Sequence, residues 1–261
     1  MTYDEFNLSG RVAIVTGGSD GIGAATAQLL SRRGADVVIA SRTADNLERR
    51  AATIREATGG RCLAVPTDVQ EEAQIKHLVQ RTLDEFGRID ILVNNAGGSL
   101  GVAQPLISLT PSRWQTMLNL NLMSAVICSQ EVVPHFIERR SGVIVNVSSF
   151  AGVQGVKGFS DYSAAKAGVQ MYTRVAAAEW GAYGIRVNCV APGMIATDTL
   201  IANLGKDVVA HVAGATIPLG RPGRPDELAQ VIVFMASDAA SFVTGETLLV
   251  AGGPPKNKLD D

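Results

Sequence analysis

Residues 12–23 read VAIVTGGSDGIG, and this stretch decides the fold. Its β-branched start, Val12–Val15, is typical of a buried strand, and the segment after the loop, Ala24–Arg33, has the apolar spacing of an amphipathic helix. A strand that enters a helix through a glycine-rich turn begins a βαβ unit. The stretch therefore predicts an α/β fold with a backbone-lined loop after its first strand.

The glycines of this loop predict an anion site. Gly17 allows a tight turn, Gly21 lets the backbone approach a pyrophosphate, and Gly23 permits close packing of the helix on the strand. The helix N-terminus adds unpaired N–H groups and the positive end of a dipole. Because the spacing is GxxxGxG rather than GxGxxG, a purely structural turn is the alternative. The loop residues assigned to a bound dinucleotide are Thr16, Gly17, Ser19, Asp20, Gly21, Ile22 and Gly23.

Strands and helices alternate along the rest of the chain. Apolar runs predict seven buried strands, at Val12–Val15, Val37–Ala40, Cys62–Val65, Ile89–Val93, Val143–Val147, Ile185–Val190 and Thr247–Val250. Helical spacing occurs at Ala24–Arg33, Asn46–Ala57, Glu72–Phe86, Trp114–Ile137, Ala164–Trp180 and Asp226–Met235. This order predicts one α/β domain over residues 1–261, a doubly wound sheet of seven mainly parallel strands with helices on both faces. Ligands of such sheets bind at the carboxyl ends of the strands.

Three segments lie outside the predicted strands and helices. Met194–Arg224 is punctuated by glycine and proline and is expected to be a mobile substrate loop. Gly98–Leu106, after the fourth strand, is expected to share in substrate selection. The polar tail, residues 254–261, is expected to fray.

The composition excludes several classes of function. With 46% hydrophobic and 18% charged residues the chain suits a buried-sheet enzyme, and a net charge of −2 offers no general attraction for nucleic acid. The start MTYDEFNLSGR has no apolar region, and no later run reaches the roughly 18 apolar residues that span a bilayer. Cys62, Cys128 and Cys189 are widely spaced and indicate a reducing compartment, and the three histidines have no partners at metal-ligand spacing. We expect a soluble, cytoplasmic protein without a metal or membrane partner.

The end of the second strand bears on the choice of cofactor. NAD-specific proteins of this architecture usually place a carboxylate there, whereas this chain has Ser41 and Arg42. A guanidinium can bind a 2′-phosphate through two bonds, so NADP(H) is favoured over NAD(H). A solvated surface cation is the alternative for Arg42, and Asp45 is expected in the first turn of the next helix.

Two further strand ends are candidates for cofactor contacts. Asp68, followed by Val69, can accept a bond from an adenine amino group or cap a helix that begins near Gln70. Small residues after the fourth strand suit the approach of a ribose and a nicotinamide, as they would suit a plain turn. The residues assigned there are Asn95, Ala96 and Gly97.

Polar residues around the fifth strand predict a proton-transfer site. Ser148 and Ser149 end that strand, and Tyr162 and Lys166 stand four apart on one face at the start of the next helix. The unperturbed pKa of a phenol is about 10, and a neighbouring ammonium together with a cationic nicotinamide would favour the phenolate. Tyr162 would then exchange the proton that accompanies hydride transfer, while Ser149 steadies the substrate oxygen and Lys166 holds the nicotinamide ribose.

These motifs resemble those of classical short-chain dehydrogenases/reductases over residues 8–253. TGGSDGIG is similar to the family's TGxxxGxG, NNAG matches unaltered, SSFAG precedes YSAAK at the family's interval, and APGMIAT resembles its PG motif. The resemblance implies a Rossmann-type oxidoreductase that moves a hydride between NAD(P) and a carbonyl or secondary alcohol. It also implies a homotetramer.

The same resemblance assigns further residues. It implies Asn121, rather than its neighbour Asn119, as a fourth catalytic residue that orients a water on the proton path. It also selects Ser149 over Ser148 through the interval to Tyr162. The cofactor contacts implied after the sixth strand are Pro192, Gly193, Ile195 and Thr197.

Substrate identity stays open at the level of sequence. The overall likeness is nearest to 3-oxoacyl reductases, with steroids, sugars and small alcohols as alternative substrates. Tyr183 stands where such reductases often have a basic residue, which argues against an acyl carrier protein as partner. A cofactor-binding sensor without turnover is the alternative from another class, and the presence of both Tyr162 and Lys166 favours the enzyme.

Overall fold

The computed structural model describes residues 4–101 and 103–254. Its centre is a seven-stranded sheet in the order β3-β2-β1-β4-β5-β6-β7, in which each neighbouring pair is parallel. The strands are β1 Val12–Thr16, β2 Asp36–Ser41, β3 Cys62–Pro66, β4 Ile91–Asn94, β5 Gly142–Val147, β6 Ile185–Pro192 and β7 Thr247–Val250. The strand order reverses between β1 and β4, so a crevice opens at their carboxyl ends. The predicted doubly wound α/β fold is confirmed.

Helices cover both faces of the sheet. The α-helices in the described residues are α1 Gly21–Arg32, α2 Ala44–Thr58, α3 Glu72–Phe86, α4 Pro111–Leu118, α5 Ser124–Arg139, α6 Phe150–Val153, α7 Ser160–Trp180, α8 Asp198–Leu204, α9 Lys206–Thr216 and α10 Pro225–Ala236. One apolar cluster joins the sheet to α1, α2 and α10, and a second joins it to α3, α5 and α7.

Residues of the central strands face the two helical layers alternately. In β1, Ala13 and Val15 pack with the first cluster, whereas Ile14 packs with the second. A central strand is therefore buried on both faces, which explains why its sequence is a continuous apolar run. The packed sheet holds the loops at its carboxyl end in fixed positions.

The prediction of seven buried strands is wrong at the two edges of the sheet. In β7, Leu248 is 41% exposed and Leu249 is 36% exposed, and β3 is only partly buried. β3 and β7 are the outermost strands and have a neighbouring strand on one side. An apolar run predicts a strand, but it does not reveal whether other elements cover that strand.

The predicted helix Trp114–Ile137 is interrupted. α4 ends at Leu118, a π-helical turn occupies Asn119–Met123, and α5 begins at Ser124. Such a turn is rare and occurs frequently at functional sites. The apolar spacing continues through it, so the periodicity of the sequence gives no sign of the interruption.

The segment Met194–Arg224 has more secondary structure than the sequence predicted. It contains α8 and α9, separated by Gly205, whose φ of +83° lies in the left-handed region. Val209 and Ala213 of α9 are buried. The segment is thus a helical pair rather than a structureless loop, and its mobility stays a prediction.

Several other expectations can be compared only with the described part of the chain. Beyond Pro254, the tail that is predicted to fray lies outside them. In the described part of the chain no helix is long and apolar enough to cross a membrane, and no three His, Cys, Asp or Glu side chains form a metal site. All three cysteines are buried and unpaired.

Candidate active site

The glycine loop turns tightly between β1 and α1. Gly17 has φ +65°, a left-handed conformation that favours glycine. A Cβ on Gly18 would lie 2.8 Å from Ile39 of β2, and one on Gly23 would lie 2.2 Å from the Gly17 carbonyl oxygen. The partner predicted for Gly23 is therefore wrong: Gly23 packs on the loop itself, and Gly18 is the glycine that packs on a strand.

Thr16 and Asn95 fasten the glycine loop to the turn after β4. The Thr16 hydroxyl accepts the N–H groups of Asn95 and Ala96, each at 3.0 Å. The Asn95 side-chain amide donates to the carbonyl oxygens of Thr16 at 2.9 Å and Gly17 at 3.2 Å. These side chains hold together the loops assigned to the pyrophosphate and to the nicotinamide half of a dinucleotide. Their direct effect on the site is to fix its backbone.

The start of α8 lies beside the glycine loop. A Cβ on Gly21, where φ is +55°, would lie 3.1 Å from Thr197 Cγ2. The Thr197 hydroxyl accepts the Leu200 N–H at 3.2 Å and so caps α8. The Thr199 hydroxyl donates to the Asp20 carboxylate at 3.4 Å. The segment Met194–Arg224 and the glycine loop are therefore in contact.

The backbone after β6 passes close to β7. Pro192 ends β6, and a Cβ on Gly193 would lie 2.8 Å from the Ala251 Cα. Ile195 is 6% exposed, belongs to the core and pairs with Gly223 through a β-bridge. Because its side chain faces the core, Ile195 can meet a cofactor through its backbone.

The end of β2 offers a hydroxyl without a partner. The Ser41 Oγ is buried, and no described residue hydrogen-bonds it. Arg42 next to it is exposed, and Asp45 lies in the first turn of α2, as predicted. A buried hydroxyl is usually satisfied, so this position suits a ligand that supplies a hydrogen-bonding group.

A cavity of about 330 Å³ opens between the glycine loop and α2. Its lining residues are Ser19, Asp20, Asn46, Arg49, Arg50 and Thr53. The Arg50 Nε donates to the Ser19 carbonyl oxygen at 3.1 Å, which turns this guanidinium toward the loop. Two guanidinium groups against one carboxylate give the cavity a net positive charge. The sequence did not single out these arginines, because charged residues in a helix usually face solvent.

Asp68 lies in a turn that precedes α3. Its Oδ1 accepts the Gln70 N–H at 3.0 Å, and its own N–H donates to the Gln74 side chain at 2.8 Å. α3 begins at Glu72, so Asp68 does not cap the helix and that alternative is wrong. Val69 is buried in the core beneath the turn.

Ser149 and Tyr162 meet at the carboxyl end of β5. Their hydroxyl groups lie close enough to interact, and the Ser149 Oγ accepts the Ala151 N–H at 3.1 Å. Ser148 is oriented elsewhere, because its hydroxyl donates to the Lys166 carbonyl oxygen at 2.7 Å. Burial raises the pKa of Tyr162 above its usual value, and the nearby Ser149 hydroxyl lowers it in part. The protein's own groups therefore keep the phenol protonated at neutral pH, and the lowering of its pKa expected with a bound cationic nicotinamide stays a prediction.

Lys166 is buried one helical turn after Tyr162. Its Nζ donates to the Val147 carbonyl oxygen at 2.9 Å and lies 5.8 Å from the centre of the Tyr162 ring. Burial lowers the pKa of Lys166 to about 8. The side chain is thus mainly charged at neutral pH, and an ammonium has three donors, so it can also serve a ligand.

Asn121 lies in the π-helical turn and is 2% exposed. Its Oδ1 accepts the Gly98 N–H at 2.8 Å, and its Nδ2 donates to the Gly98 carbonyl oxygen at 3.0 Å. Asn119 accepts a bond from its own helix instead. A Cβ on Gly97 would lie 2.6 Å from Asn121 Oδ1 and 3.1 Å from Lys166 Nζ. Gly97 therefore lies in contact with both side chains. The structure places Asn121 in this cluster and Ser149 next to Tyr162, and their catalytic roles stay a prediction.

Comparisons with known proteins identify the family. A family model described as enoyl-(acyl carrier protein) reductase matches residues 17–254. The chain is 48% identical over 243 residues to cis-4-hydroxycyclohexanecarboxylate dehydrogenase of Sinomonas cyclohexanicum, covering 93% of this chain and 96% of that one. It is 40% identical over 248 residues to the 3-oxoacyl-(acyl-carrier-protein) reductase of Thermotoga maritima, covering 94% and 98%. The chain is a classical short-chain dehydrogenase/reductase.

Solved structures of this short-chain dehydrogenase/reductase fold superpose closely on the chain. L-sorbose reductase from Gluconobacter frateurii, complexed with NADPH and L-sorbose, has a TM-score of 0.90 at 33% identity and covers 97% of this chain and 100% of its own. A 7α-hydroxysteroid dehydrogenase complexed with NADH and 7-oxo glycochenodeoxycholic acid has a TM-score of 0.91 at 31% identity and covers 98% and 99%. The chain is an oxidoreductase that acts on CH–OH or C=O groups with a nicotinamide cofactor.

Proposed function

We propose that this enzyme prefers NADP(H) and uses Tyr162 as the acid and base that accompanies hydride transfer. One observation carries the proposal: the Tyr162 hydroxyl lies close to that of Ser149, beside the buried ammonium of Lys166. These groups converge next to the turn that contains Gly97. A substrate carbonyl oxygen that inserts between the two hydroxyls would meet two hydrogen-bond donors.

The proposed roles follow from this arrangement. A bound nicotinamide supplies or accepts the hydride. In reduction Tyr162, held protonated by its raised pKa, donates its proton to the substrate oxygen, and Ser149 donates a hydrogen bond to the same atom. The Lys166 ammonium favours the phenolate that remains after the proton has left. Asn121 fixes the backbone of Gly98 and completes the catalytic set.

The residues present also suit a dinucleotide. The glycine loop, with the start of α1 behind it, would hold the pyrophosphate, and the turn at 95–97 would hold the nicotinamide ribose together with Lys166. The backbone after β6, from Pro192 to Thr197, would contact the nicotinamide end. The fit rests on the closeness of backbone to backbone at Gly17 and Gly23, where a Cβ would clash.

The preference for NADP(H) rests on the groups around the end of β2. Ser41 has a buried hydroxyl that needs a partner, and Arg42 is an exposed cation at the same strand end. Arg49 and Arg50 add positive charge in the neighbouring cavity, and Asp20 opposes them with one carboxylate. The balance favours a 2′-phosphate over a bare ribose hydroxyl.

Replacing Arg42 by glutamine is expected to weaken NADPH binding about tenfold, the usual size of one charge-assisted contact. NADH binding should stay unchanged, because the guanidinium would bind the 2′-phosphate. Fluorescence titration of each variant with both cofactors measures the effect, and Arg32→Gln, on the exposed end of α1, is the control. Equal weakening of NADPH and NADH by Arg42→Gln would contradict the assignment.

The leading substrate class is a 3-oxoacyl compound, from the likeness to 3-oxoacyl-(acyl-carrier-protein) reductases. The higher identity to cis-4-hydroxycyclohexanecarboxylate dehydrogenase favours a ring-borne secondary alcohol as the second candidate. Comparison of kcat/KM for a 3-oxoacyl thioester and for 4-oxocyclohexanecarboxylate separates the two. A clear preference for the cyclic ketone would replace the first candidate by the second.

We also propose that the enzyme is a homotetramer. Large apolar side chains are exposed on two separate elements, Met171 and Val175 on α7 and Leu248 and Leu249 on β7, and Phe242 lies near β7 in sequence and is fully exposed. Two such patches suit two different twofold interfaces. Size-exclusion chromatography with light scattering should give four times the chain mass of 27.4 kDa at micromolar concentration. A monomer at that concentration would refute the proposal.

A further inference from the structure

A buried ion pair joins α4 to the start of the catalytic helix. Arg113 lies in the first turn of α4, and Asp161 lies in the first turn of α7, directly before Tyr162. The Arg113 Nε is 2.9 Å from Asp161 Oδ2, and the two side chains are 17% and 1% exposed. A charge pair so fully removed from water carries a desolvation cost, so good geometry and further bonds are needed to hold it.

Each partner makes a second bond that extends the connection. Asp161 Oδ1 accepts the backbone N–H of Tyr162 at 2.9 Å, and Arg113 Nη1 donates to the Leu100 carbonyl oxygen at 3.2 Å. The N–H groups of a first helical turn lack partners within the helix, and the residue before α7, Phe159, provides no side-chain cap. Asp161 therefore supplies both the missing acceptor and a negative charge at the positive end of α7.

The connection ends at Leu100, which belongs to the segment Gly98–Leu106. The first residue of this segment, Gly98, is bonded to Asn121 of the active site. Asn121 binds the backbone of Gly98, and Arg113 binds the carbonyl oxygen of Leu100. Further along, the Gln104 N–H donates to the Gly158 carbonyl oxygen at 2.9 Å. The last of these bonds reaches the stretch that leads into α7. The segment is thus tied to the surroundings of Tyr162 at several points.

We propose that Arg113 and Asp161 are positioning residues. They fix Tyr162 and hold residues 98–101, the Leu100 segment, against it as one wall of the substrate site. The inference rests on the proposed role of Tyr162. Asp161 sets the first turn of α7 through the Tyr162 amide, and Arg113 transmits that position to Leu100. Neither residue is assigned a contact with substrate or cofactor.

The chain contains a matched control at the opposite end of the sheet. Asp90 is also largely buried, accepts a backbone N–H, that of Val12, at 2.8 Å, and pairs with Arg88 at 2.7 Å and Arg139 at 3.2 Å. It lies directly before β4, whereas the active site lies at the carboxyl ends of the strands. Arg88→Met therefore removes one of the two ion-pair partners of a buried aspartate away from Tyr162, and Arg139 stays as the other.

The test compares Arg113→Met, Arg113→Lys and Arg88→Met in the full-length enzyme. Arg113→Met is expected to lower kcat about tenfold and to raise the ketone KM, because small displacements of catalytic groups slow the reaction strongly. Arg113→Lys can still pair with Asp161 but cannot also bond the Leu100 carbonyl in the same geometry. It should restore kcat and leave KM raised. Arg88→Met should lower the melting temperature and leave kcat and KM unchanged.

Two further readouts extend the test: hydrogen exchange does not depend on turnover, and a double variant does not depend on a single substitution. Hydrogen exchange should increase at residues 98–101 and in the first turn of α7 in Arg113→Met, and stay unchanged there in Arg88→Met. Asp161→Asn combined with Arg113→Met should lose less activity than the sum of the single changes, because neither charge is left unpaired. If Arg113→Met alone does not fold, the activity of the double variant can still be measured.

The inference is overturned if Arg113→Met only lowers the melting temperature, as Arg88→Met does, with kcat, KM and local exchange as in the wild type. It is also overturned if Arg113→Lys restores nothing that Arg113→Met has lost. If Tyr162→Phe retains full activity, the proposed function fails, and the exchange measurement still decides whether the pair holds the Leu100 segment.

Discussion

Replacing Gly97 by alanine is expected to lower kcat about 100-fold, a loss typical of catalytic groups displaced by about 1 Å. The added Cβ would lie 2.6 Å from Asn121 Oδ1 and 3.1 Å from Lys166 Nζ. Both side chains are buried and bonded to the backbone, so neither can move away without breaking those bonds. Steady-state kinetics at saturating cofactor measures the loss.

Gly98→Ala is the matched control for this change. Gly98 has the same φ of +152° as Gly97, a value that disfavours a side chain at both positions. A Cβ on Gly98 would meet no atom within 4 Å. Gly98→Ala should therefore retain most of the activity, and an equal loss in the two variants would show that strain, rather than contact with Asn121 and Lys166, is responsible.

Replacing Tyr162 by phenylalanine is expected to lower kcat/KM about 1,000-fold, within the range for loss of a general acid or base. The substitution removes the hydroxyl that lies close to Ser149 but keeps the ring beside Lys166. NADPH affinity should therefore change little, which fluorescence titration checks in the same samples.

Tyr183→Phe is the control for removal of a tyrosine hydroxyl. Tyr183 is 39% exposed and lies at the far end of α7, in the turn before β6. Its loss should leave kcat/KM unchanged. If Tyr162→Phe were as active as Tyr183→Phe, another group would have to donate the proton and the proposed function would be wrong.

The sequence predicted the parts of the fold that depend on continuous patterns. Strands such as β1 and β5 are mostly apolar because both faces are buried, and the glycine loop after β1 shows where a backbone must be approached closely. The interval between Ser149 and Tyr162 also has a structural meaning, since the end of β5 and the first turn of α7 lie side by side.

Other features depend on tertiary packing that a single sequence does not display. Gly18 differs from Gly23 in its partner only because β2 passes beneath the loop. The π-helical turn at Asn121 continues an unbroken apolar pattern. From the sequence, Arg50 and Arg113 are expected to be ordinary cations on a helix surface. In the structure Arg50 faces the glycine loop, and Arg113 is paired with the buried Asp161.

The most direct test of the central claim is titration of the purified enzyme with NADPH and with NADH, followed by addition of ketones to each complex. We expect NADPH to bind more tightly than NADH, and at least one 3-oxoacyl or cyclic ketone to oxidise the bound NADPH. Equal or tighter binding of NADH would contradict the assignment of Ser41 and Arg42. Cofactor binding without oxidation by any ketone or reduction by any alcohol would instead favour a sensor.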